Sequence, residues 1–318
     1  MRRRVVVTDQ AFGGVTAEAA VAAQFGATFS SHQCTSEEQT IQAVNGSDVV
    51  LVNFAPITAA VLRTLAPGAT VVRYGIGYDN IDVEAARELG IAVANVPDYG
   101  SDTVADHAAA CLLMLLRKIP QYDRAVRVNG WCQPASLGSM PGFSSTTVAL
   151  IGTGRIGRAL NRRLQGFGFT VLAHDPYADA AVLKDEGLQL VGLDELLRRA
   201  NAVSLHLPLT PENAHLVNAE FLSLMRRGSF LVNTSRGGLV DESALASAIE
   251  QGHLAGACLD VFDPEPLATD SKLRALSDVF LTPHAAFFSD DSLEALQRLA
   301  AEEAGRALAG SPLRSPVV

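Results

Sequence analysis

Three side chains that can move a proton and bind a carboxylate follow successive apolar runs in the second half of the chain. They are Arg236, Glu265 and His284. Histidine exchanges a proton near neutral pH, and a carboxylate beside it stabilises its protonated form. Arginine binds a carboxylate through two parallel hydrogen bonds. Because ligands of an open α/β sheet bind beyond the carboxyl ends of its strands, we expect the three side chains to converge on one site.

Each of these residues taken alone also fits a structural role. Arg236 would suit a surface salt bridge, Glu265 a turn between Pro264 and Pro266, and His284 a strand end. Their succession at three strand ends, downstream of a glycine-rich turn, favours catalysis over three unrelated roles.

That turn has the spacing of a phosphate-binding motif. It reads Gly152-Thr153-Gly154-Arg155-Ile156-Gly157, directly after the apolar run 147–151 and before a helical stretch, 155–166. The first glycine permits a tight turn, the second lets the backbone approach a pyrophosphate, and the third allows close helix–strand packing. The helix N-terminus adds N–H groups and the positive end of its dipole. The motif predicts a dinucleotide site.

An acidic residue selects between the two common dinucleotides. Asp175 ends the predicted strand 170–174, about twenty residues after the glycines, as the fingerprint requires. Its carboxylate can accept hydrogen bonds from a ribose diol and would repel a 2′-phosphate, and no arginine follows in 176–178. The sequence therefore predicts NAD rather than NADP as the cofactor.

Composition excludes several other classes of protein. The 318 residues are 48% hydrophobic and 19% charged, which suits two packed domains rather than a disordered chain. A net charge of −9 offers no basic field for nucleic acid or an anionic membrane. The longest apolar stretch, 108–116, is too short to span a bilayer, and the first residues lack the apolar region of a signal peptide. Four widely spaced cysteines predict neither a disulfide framework nor a metal site, so we expect a cytoplasmic protein.

Strands and helices alternate along most of the chain, which predicts parallel sheets covered by helices. We expect strands at 5–7, 49–52, 71–72, 90–94, 147–151, 170–174, 202–206, 229–233, 256–260 and 279–281. We expect helices at 16–25, 58–65, 83–89, 101–116, 155–166, 193–199, 218–226, 241–251 and 291–309.

Residues 121–145 interrupt this rhythm with glycines and prolines and show no clear periodicity. We expect an irregular arm there, preceded by the apolar helix 101–116. One interpretation is that helix and arm form a homodimer interface; the other is that both cover the protein's own core.

Several further motifs complete a family resemblance. They are Arg73-Tyr74-Gly75-Ile76-Gly77-Tyr78-Asp79-Asn80-Ile81-Asp82, the segment 233–242, Asp260-Val261-Phe262-Asp263-Pro264-Glu265-Pro266, and Thr282-Pro283-His284-Ala285. With the glycine turn, they resemble the D-2-hydroxyacid dehydrogenase family over roughly residues 48–300. The segments 96–100 and 283–287 are most similar to the branch of C-terminal-binding-protein-like and phosphoglycerate-dehydrogenase-like members.

The resemblance implies an α/β fold of two doubly wound parallel-sheet domains. A Rossmann NAD-binding domain, 100–287, would be inserted into a flavodoxin-like substrate domain formed by 1–99 and 288–318. The implied activity is hydride transfer between NAD(H) and a small D-2-hydroxy acid or 2-keto acid. The identity of the acid stays open.

The resemblance also implies residue roles. His284 would be the acid/base, Glu265 its orienting partner, and Arg236 the anchor of the substrate carboxylate. Backbone N–H groups of Tyr74, Gly75, Ile76 and Gly77 would help to hold that carboxylate. Cofactor contacts would come from Gly152, Gly154, Arg155, Ile156, Gly157, Asp175, Thr234 and Asp260, with Asp260 and Ile76 near the nicotinamide. His107, in the long helix, is a weaker candidate for a functional contact.

Two differences from relatives reduce the number of possible substrates. Phosphoglycerate-type members carry an arginine early in the 52–58 loop, where this chain has Asn53 and Phe54, so 3-phosphoglycerate is disfavoured. Formate-type relatives have glutamine where this chain has Glu265, which disfavours formate.

The alternative function is an NAD(H)-sensing, protein-binding regulator of the C-terminal-binding-protein type, which keeps the same fold and residues. An inactive scaffold is a third reading, against which the intact Arg236, Glu265 and His284 argue.

Overall fold

A computed structural model describes residues 2–318. Its internal contacts divide the chain into two compact units. The split unit consists of residues 1–100 and 288–318, and the central unit consists of residues 101–287 between them.

The split unit is built on five parallel strands in the order β2-β1-β3-β4-β5. Its strands are β1 (Arg4–Val7), β2 (Thr28–Ser31), β3 (Val49–Val52), β4 (Thr70–Arg73) and β5 (Ala92–Ala94). Its helices are α1 (Thr16–Gln24), α2 (Glu37–Val44), α3 (Ala59–Leu62), α4 (Val83–Glu88) and the last helix of the chain, α12 (Asp290–Ala309).

Both faces of this sheet are buried, which explains its runs of valine. All four residues of β3 are buried, and they alternate between two apolar clusters. Val50 and Val52 pack on one face, whereas Val49 and Leu51 pack on the other, against the apolar side of α12. Since a covered parallel strand needs apolar residues on both faces, the continuous apolar pattern is the expected one.

The central unit contains seven parallel strands in the order β12-β11-β10-β9-β6-β7-β8. Its strands are β6 (Thr147–Ile151), β7 (Thr170–His174), β8 (Gln189–Leu190), β9 (Ala202–Leu205), β10 (Phe230–Asn233), β11 (Gly256–Leu259) and β12 (Val279–Leu281). Its helices are α5 (Ser101–Leu116), α6 (Ile119–Asn129), α7 (Arg155–Gly166), α8 (Ala180–Asp185), α9 (Leu193–Arg199), α10 (Ala219–Leu224) and α11 (Glu242–Glu250).

The strand orders confirm the predicted fold class. The split unit has the flavodoxin-like order, and the first six strands of the central unit have the Rossmann order. In each sheet the order reverses beside its first strand. The central unit reverses between β6 and β9, so the turn after β6 lies at the place where such sheets bind ligands.

The arm differs from its prediction. Residues 119–129 form the helix α6, followed by short 3-10 turns at Pro134–Leu137 and Phe143–Ser145. None of the residues of α6 is buried, so its apolar side chains do not face the core of its own unit. The helix α5, in contrast, packs seven residues into an apolar core cluster of its own unit.

The sequence also missed β2, α2, α8 and β8, which are short or carry few apolar residues. Within residues 2–318, no helix is long and apolar enough to cross a membrane.

Candidate active site

The glycine turn leaves β6 and enters α7 as the motif predicts. A Cβ on Gly152 would lie 2.3 Å from the backbone oxygen of His206, and a Cβ on Gly157 would lie 2.4 Å from that of Gly152. Both positions therefore require glycine. Gly154 is the N-cap of α7 and provides no side chain to cap it. The backbone N–H groups in the first turn of α7 are thus free of a side-chain cap and suited to donate hydrogen bonds to a phosphate.

Asp175 is held in place by this turn. Its Oδ2 accepts hydrogen bonds from the Thr153 N–H at 2.8 Å and the Thr153 hydroxyl at 2.7 Å. Its Oδ1 accepts one from the Tyr177 N–H at 3.0 Å. Partial burial raises the pKa of Asp175, but these hydrogen bonds outweigh it and leave the pKa below its ordinary value. The carboxylate is therefore ionised and fixed, as a ribose-binding group must be. Thr153 was not recognised from the sequence, because only the fold brings the turn against the end of β7.

Two buried polar atoms near the ends of β9 and β10 indicate that a polar ligand binds there. The hydroxyl of Thr234 and Nδ1 of His206 are buried and have no hydrogen-bond partner among the described residues. Burial lowers the pKa of His206 to about 4, so this imidazole is neutral at physiological pH. A cofactor that donates to or accepts from these atoms would remove the cost of burying them unpaired. The residues present therefore fit a dinucleotide, which Gly152, Gly154, Arg155, Ile156, Gly157 and Asp175 would hold.

Arg236 follows β10 in a turn that Asn233 builds. The fully buried Asn233 side chain accepts from the Ser235 N–H at 3.0 Å and donates to the Arg236 carbonyl at 2.8 Å. Next, a Cβ on Gly237 would lie 2.0 Å from the Phe262 backbone. Glycine at this position lets the loop after β10 touch the loop after β11. The Arg236 charge consequently contributes to lowering the pKa of Glu265.

Glu265 and His284 form a hydrogen-bonded pair. The His284 Nδ1 lies 2.8 Å from Oε2 of Glu265, while Oε1 accepts from the Phe262 N–H at 3.1 Å. Partial burial raises the pKa of Glu265, but the hydrogen bond from His284 and the nearby positive charges lower it more, so its pKa lies below the ordinary value. An ionised carboxylate accepts only, so Nδ1 of His284 carries the proton of this hydrogen bond.

Asp260 positions the backbone around His284. This carboxylate is 1% exposed; Oδ1 accepts from the Ala285 N–H and Oδ2 from the Ala286 N–H, both at 2.8 Å. Its carbonyl accepts from the His284 N–H at 2.7 Å. His284 has a φ of 52°, a left-handed conformation that neighbouring contacts must hold for a residue other than glycine. The predicted contact of Asp260 with nicotinamide stays a prediction, since its carboxylate already has these partners.

The segment 74–77 belongs to the split unit and corrects one expectation. The Tyr74 N–H donates to the Val52 carbonyl at 2.8 Å, and the buried Tyr74 hydroxyl donates to Glu18. Tyr74 therefore cannot offer its backbone N–H to a carboxylate, because the sheet register already uses it. Gly75, Ile76 and Gly77 remain the predicted donors, and Gly75 has a φ of 127° that favours glycine.

Within residues 2–318 no three His, Cys, Asp or Glu side chains are grouped to hold a metal ion. The positions described above are those of a dinucleotide-binding α/β protein of the dehydrogenase type, with an imidazole, a carboxylate and a guanidinium on neighbouring loops of one sheet.

Comparison with known proteins identifies the family. Residues 109–286 match the NAD-binding domain of the D-isomer specific 2-hydroxyacid dehydrogenases. The chain belongs to this family, which confirms the resemblance seen in its motifs and NAD as its cofactor.

Relatives and solved structures agree with this assignment. The chain is 40% identical over 274 residues to a D-3-phosphoglycerate dehydrogenase of Mycobacterium tuberculosis, a match covering 86% of this chain and 51% of that protein. It is 40% identical over 249 residues to a glyoxylate reductase of Korarchaeum cryptofilum, covering 78% of this chain and 75% of that protein. The chain thus spans about half the length of the phosphoglycerate dehydrogenases it matches.

Its fold also superposes on a D-lactate dehydrogenase of Aquifex aeolicus solved with NAD and lactic acid. The TM-score is 0.87 at 28% identity, and the match covers 96% of each chain.

Proposed function

We propose that this chain is an NAD-dependent D-2-hydroxyacid dehydrogenase in which His284, Glu265 and Arg236 carry out the reaction. The observation that carries the proposal is the His284–Glu265 pair, 2.8 Å between Nδ1 and Oε2, on the loops beside Arg236. Membership of the family and the glycine turn at the switch point of the central sheet support it.

Reduction of a 2-keto acid needs a hydride at C2 and a proton on the carbonyl oxygen. Reduced nicotinamide supplies the hydride when it is bound. His284 supplies the proton from Nε2, because Nδ1 is held by Glu265. As the oxygen gains negative charge, the protonated imidazole stabilises it and then gives up its proton. In the reverse direction the neutral imidazole accepts the proton of the hydroxyl group.

The Glu265 carboxylate makes this exchange possible near neutral pH. It orients the ring and stabilises the imidazolium form. Its own lowered pKa means that it stays ionised while His284 changes charge. Arg236 then binds the carboxylate of the substrate, and its planar guanidinium fixes the orientation of the acid as well as its charge.

We infer that the substrate is a 2-hydroxy acid without a phosphate group. The loop after β3 carries Asn53, whose backbone N–H donates to Asp9 at 3.1 Å, and Phe54, whose N–H donates to the same carboxylate at 2.6 Å. A buried carboxylate thus already occupies the N–H groups of this loop, and neither side chain adds a positive charge for a phosphate. Several relatives are named as phosphoglycerate dehydrogenases, so a comparison of phosphorylated and unphosphorylated acids tests this inference.

The direct test follows NADH absorbance with a panel of 2-keto acids, including glyoxylate, pyruvate and 3-phosphohydroxypyruvate. We expect turnover with an unphosphorylated acid and little with the phosphorylated one. Tight NADH binding without turnover on any acid would favour the NAD(H)-sensing regulator instead.

Substitution of His284, compared with a control histidine, tests its assignment as the acid/base. His284→Asn keeps a residue that tolerates a φ of 52° and should lower kcat by about 10²–10⁴, the usual contribution of a general acid, while leaving NADH affinity unchanged. His215, exposed and with the same φ of 52°, is the matched control, and His215→Asn should retain kcat.

Arg236→Ala tests the carboxylate anchor. It should raise KM for the keto acid by roughly a hundredfold, which corresponds to one strong charge-assisted pair. An unchanged KM would rule out this role for Arg236.

We also propose that the chain forms a homodimer through the arm, and that it acts in the cytoplasm. The helix α6 buries none of its residues, and apolar side chains on it and just beyond it are exposed: Ile119, Val126, Val128 and Trp131. Four exposed apolar side chains within thirteen residues are typical of a surface that packs against another protein.

A further inference from the structure

A second imidazole of the central unit is hydrogen-bonded to the loop that carries His284. His107, on α5, lies with Nε2 3.2 Å from the Thr282 hydroxyl and 3.9 Å from Oδ1 of Asp260. Its side chain is 25% exposed. The mechanism proposed above does not use it.

The direction of each proton in this contact follows from the chemistry of the groups. The Thr282 hydroxyl has one proton, and it donates that proton to Oδ1 of Asp260 at 2.6 Å. The hydroxyl oxygen can therefore only accept from His107, so Nε2 of His107 carries a proton. This fixes the tautomer of the neutral ring and leaves Nδ1 as an acceptor.

Two cysteines complete the arrangement from the other side. Cys111, one turn along α5, is hydrogen-bonded to the His107 ring, and its sulfur lies 2.9 Å from that of Cys258 on β11. The hydrogen bond with Cys258 and burial hold the pKa of Cys111 far above its ordinary value, so the thiol beside His107 stays protonated. The side of the ring toward α5 therefore faces a neutral group, and the ring is oriented by its contact with Thr282.

The far end of this chain of hydrogen bonds is the carboxylate that holds His284 in its strained conformation. Asp260 receives the Thr282 hydroxyl on the same oxygen that accepts the Ala285 N–H. A rotation of this carboxylate would release the backbone N–H groups of Ala285 and Ala286, directly after His284. The imidazole of His107 restrains that rotation through Thr282.

We propose that His107 is a positioning residue for the reaction, which sets the direction of His284 through Thr282 and Asp260. This inference rests on the proposed function of His284. It does not require His107 to touch substrate or cofactor.

The test compares His107→Leu with His107→Gln. The glutamine amide places an N–H donor near the former Nε2, whereas leucine keeps the volume and removes the hydrogen bond. We expect His107→Leu to lower kcat by about tenfold, the worth of one buried hydrogen bond in a positioned site, with little change in KM for NADH. His107→Gln should recover most of kcat.

A matched control separates positioning from stability. His253 is also half-buried in the central unit, and its Nε2 lies within hydrogen-bond distance of the Leu222 and Met225 carbonyls. His253→Leu should lower Tm but leave kcat unchanged. Thr282→Val should act through the same route, so its effect and that of His107→Leu should be less than additive in the double variant.

A measurement without turnover keeps this inference distinct from the proposed function. In protein labelled with ¹⁵N-histidine, the ring signals of His284 are assigned by their loss in His284→Asn. They should shift in His107→Leu and return in His107→Gln, whether or not a keto acid is reduced. Unmoved His284 signals in His107→Leu would overturn the proposal, as would a kcat equal to that of the parent. A failed substrate panel with shifted signals would refute the proposed function alone.

Discussion

At the scale of single residues, Glu265 gives the clearest expectation about pH. Its pKa is depressed, so its carboxylate is ionised throughout the neutral range and loses its charge only as the pH falls through that lowered pKa. Keto-acid reduction needs the protonated imidazole, so its rate must fall as the pH rises.

Glu265→Gln should lower kcat/KM for the keto acid by about tenfold, because the amide no longer stabilises the imidazolium. The measurement is kcat/KM for the keto acid between pH 5 and 9. Glu242→Gln is the control, since Glu242 accepts from the Asp263 N–H of the same loop without touching His284. A profile unchanged in Glu265→Gln would mean that the pair plays no part in proton transfer.

The predicted preference for NAD over NADP also rests on one side chain. Asp175 is ionised and fixed by Thr153, so it attracts a ribose diol and repels a 2′-phosphate. Asp175→Ala should weaken NAD binding and reduce the preference for NAD over NADP by roughly tenfold or more, the worth of a charge-assisted hydrogen bond.

Titrations of each reduced cofactor, followed by protein fluorescence, would measure this. Asp179→Ala removes a nearby exposed carboxylate that caps α8 and should leave the preference intact. If Asp175→Ala left the preference for NAD over NADP unchanged, Asp175 would not be the residue that binds the ribose.

The candidate site shows which residues a sequence can and cannot reveal. Arg236, Glu265 and His284 were predicted because strand ends of a parallel sheet share one edge, and their chemical types are distinctive. Gly237 and Thr282 were not, since their roles depend on contacts with another loop, Gly237 with Phe262 and Thr282 with Asp260. Asn233 was not either, since its side-chain hydrogen bonds are made within the turn that follows it. Cys111 and Cys258 are 147 positions apart, and only the packing of α5 on β11 joins them.

At the scale of elements, a buried hydrogen bond between Glu18 and Tyr74 joins the helix α1 to the end of β4. Glu18 is 1% exposed and accepts a hydrogen bond from the Tyr74 hydroxyl at 2.8 Å. Burial raises the pKa of Glu18, although the hydrogen bond from Tyr74 lowers it in part. The ionised form of Glu18 therefore depends on Tyr74 more than the protonated form does.

Tyr74→Phe should lower Tm by several degrees, consistent with a lost buried hydrogen bond of about 1–3 kcal/mol. Because Tyr74 stabilises the charged form, the loss should be small at pH 4 and grow as the pH rises through the pKa of Glu18. Thermal unfolding across this range measures it. Tyr122→Phe, which removes a donor to the neutral Pro134 carbonyl, should give a loss independent of pH. If the decrease in Tm of Tyr74→Phe were also independent of pH, the Tyr74 hydroxyl would not stabilise the ionised form of Glu18.

Most elements were predictable because buried parallel strands and amphipathic helices carry strong patterns. The strand β12 and the helix α9 lie at their predicted positions. The helix α6 was missed for the opposite reason: it buries nothing in its own unit, so its sequence carries no core-facing stripe. A helix without a covered face must be explained by something beyond the single chain.

At the scale of the whole molecule, the explanation we propose is a second copy of this chain. Val128, on α6, is 75% exposed, and Trp131, two residues beyond its end, is 71% exposed. The helix touches its own unit through a hydrogen bond from Gln121 to Asp278 at 3.0 Å. Leaving these side chains in water has a cost of about 1.5–3 kcal/mol for each large apolar group. A homodimer that packs the two arms would remove it.

Val128→Glu should therefore convert the dimer to a monomer, since a charge would be buried without a partner at the interface. Light scattering at micromolar concentration measures the mass, with 33.5 kDa expected for one chain. Val182→Glu places the same charge at an exposed valine of α8, outside the arm, and should leave the dimer intact. A parent protein that is monomeric at high concentration would refute the proposal, and the exposed face of α6 would then need a different partner. Retained turnover in monomeric Val128→Glu would show, in addition, that one chain holds every residue the reaction needs.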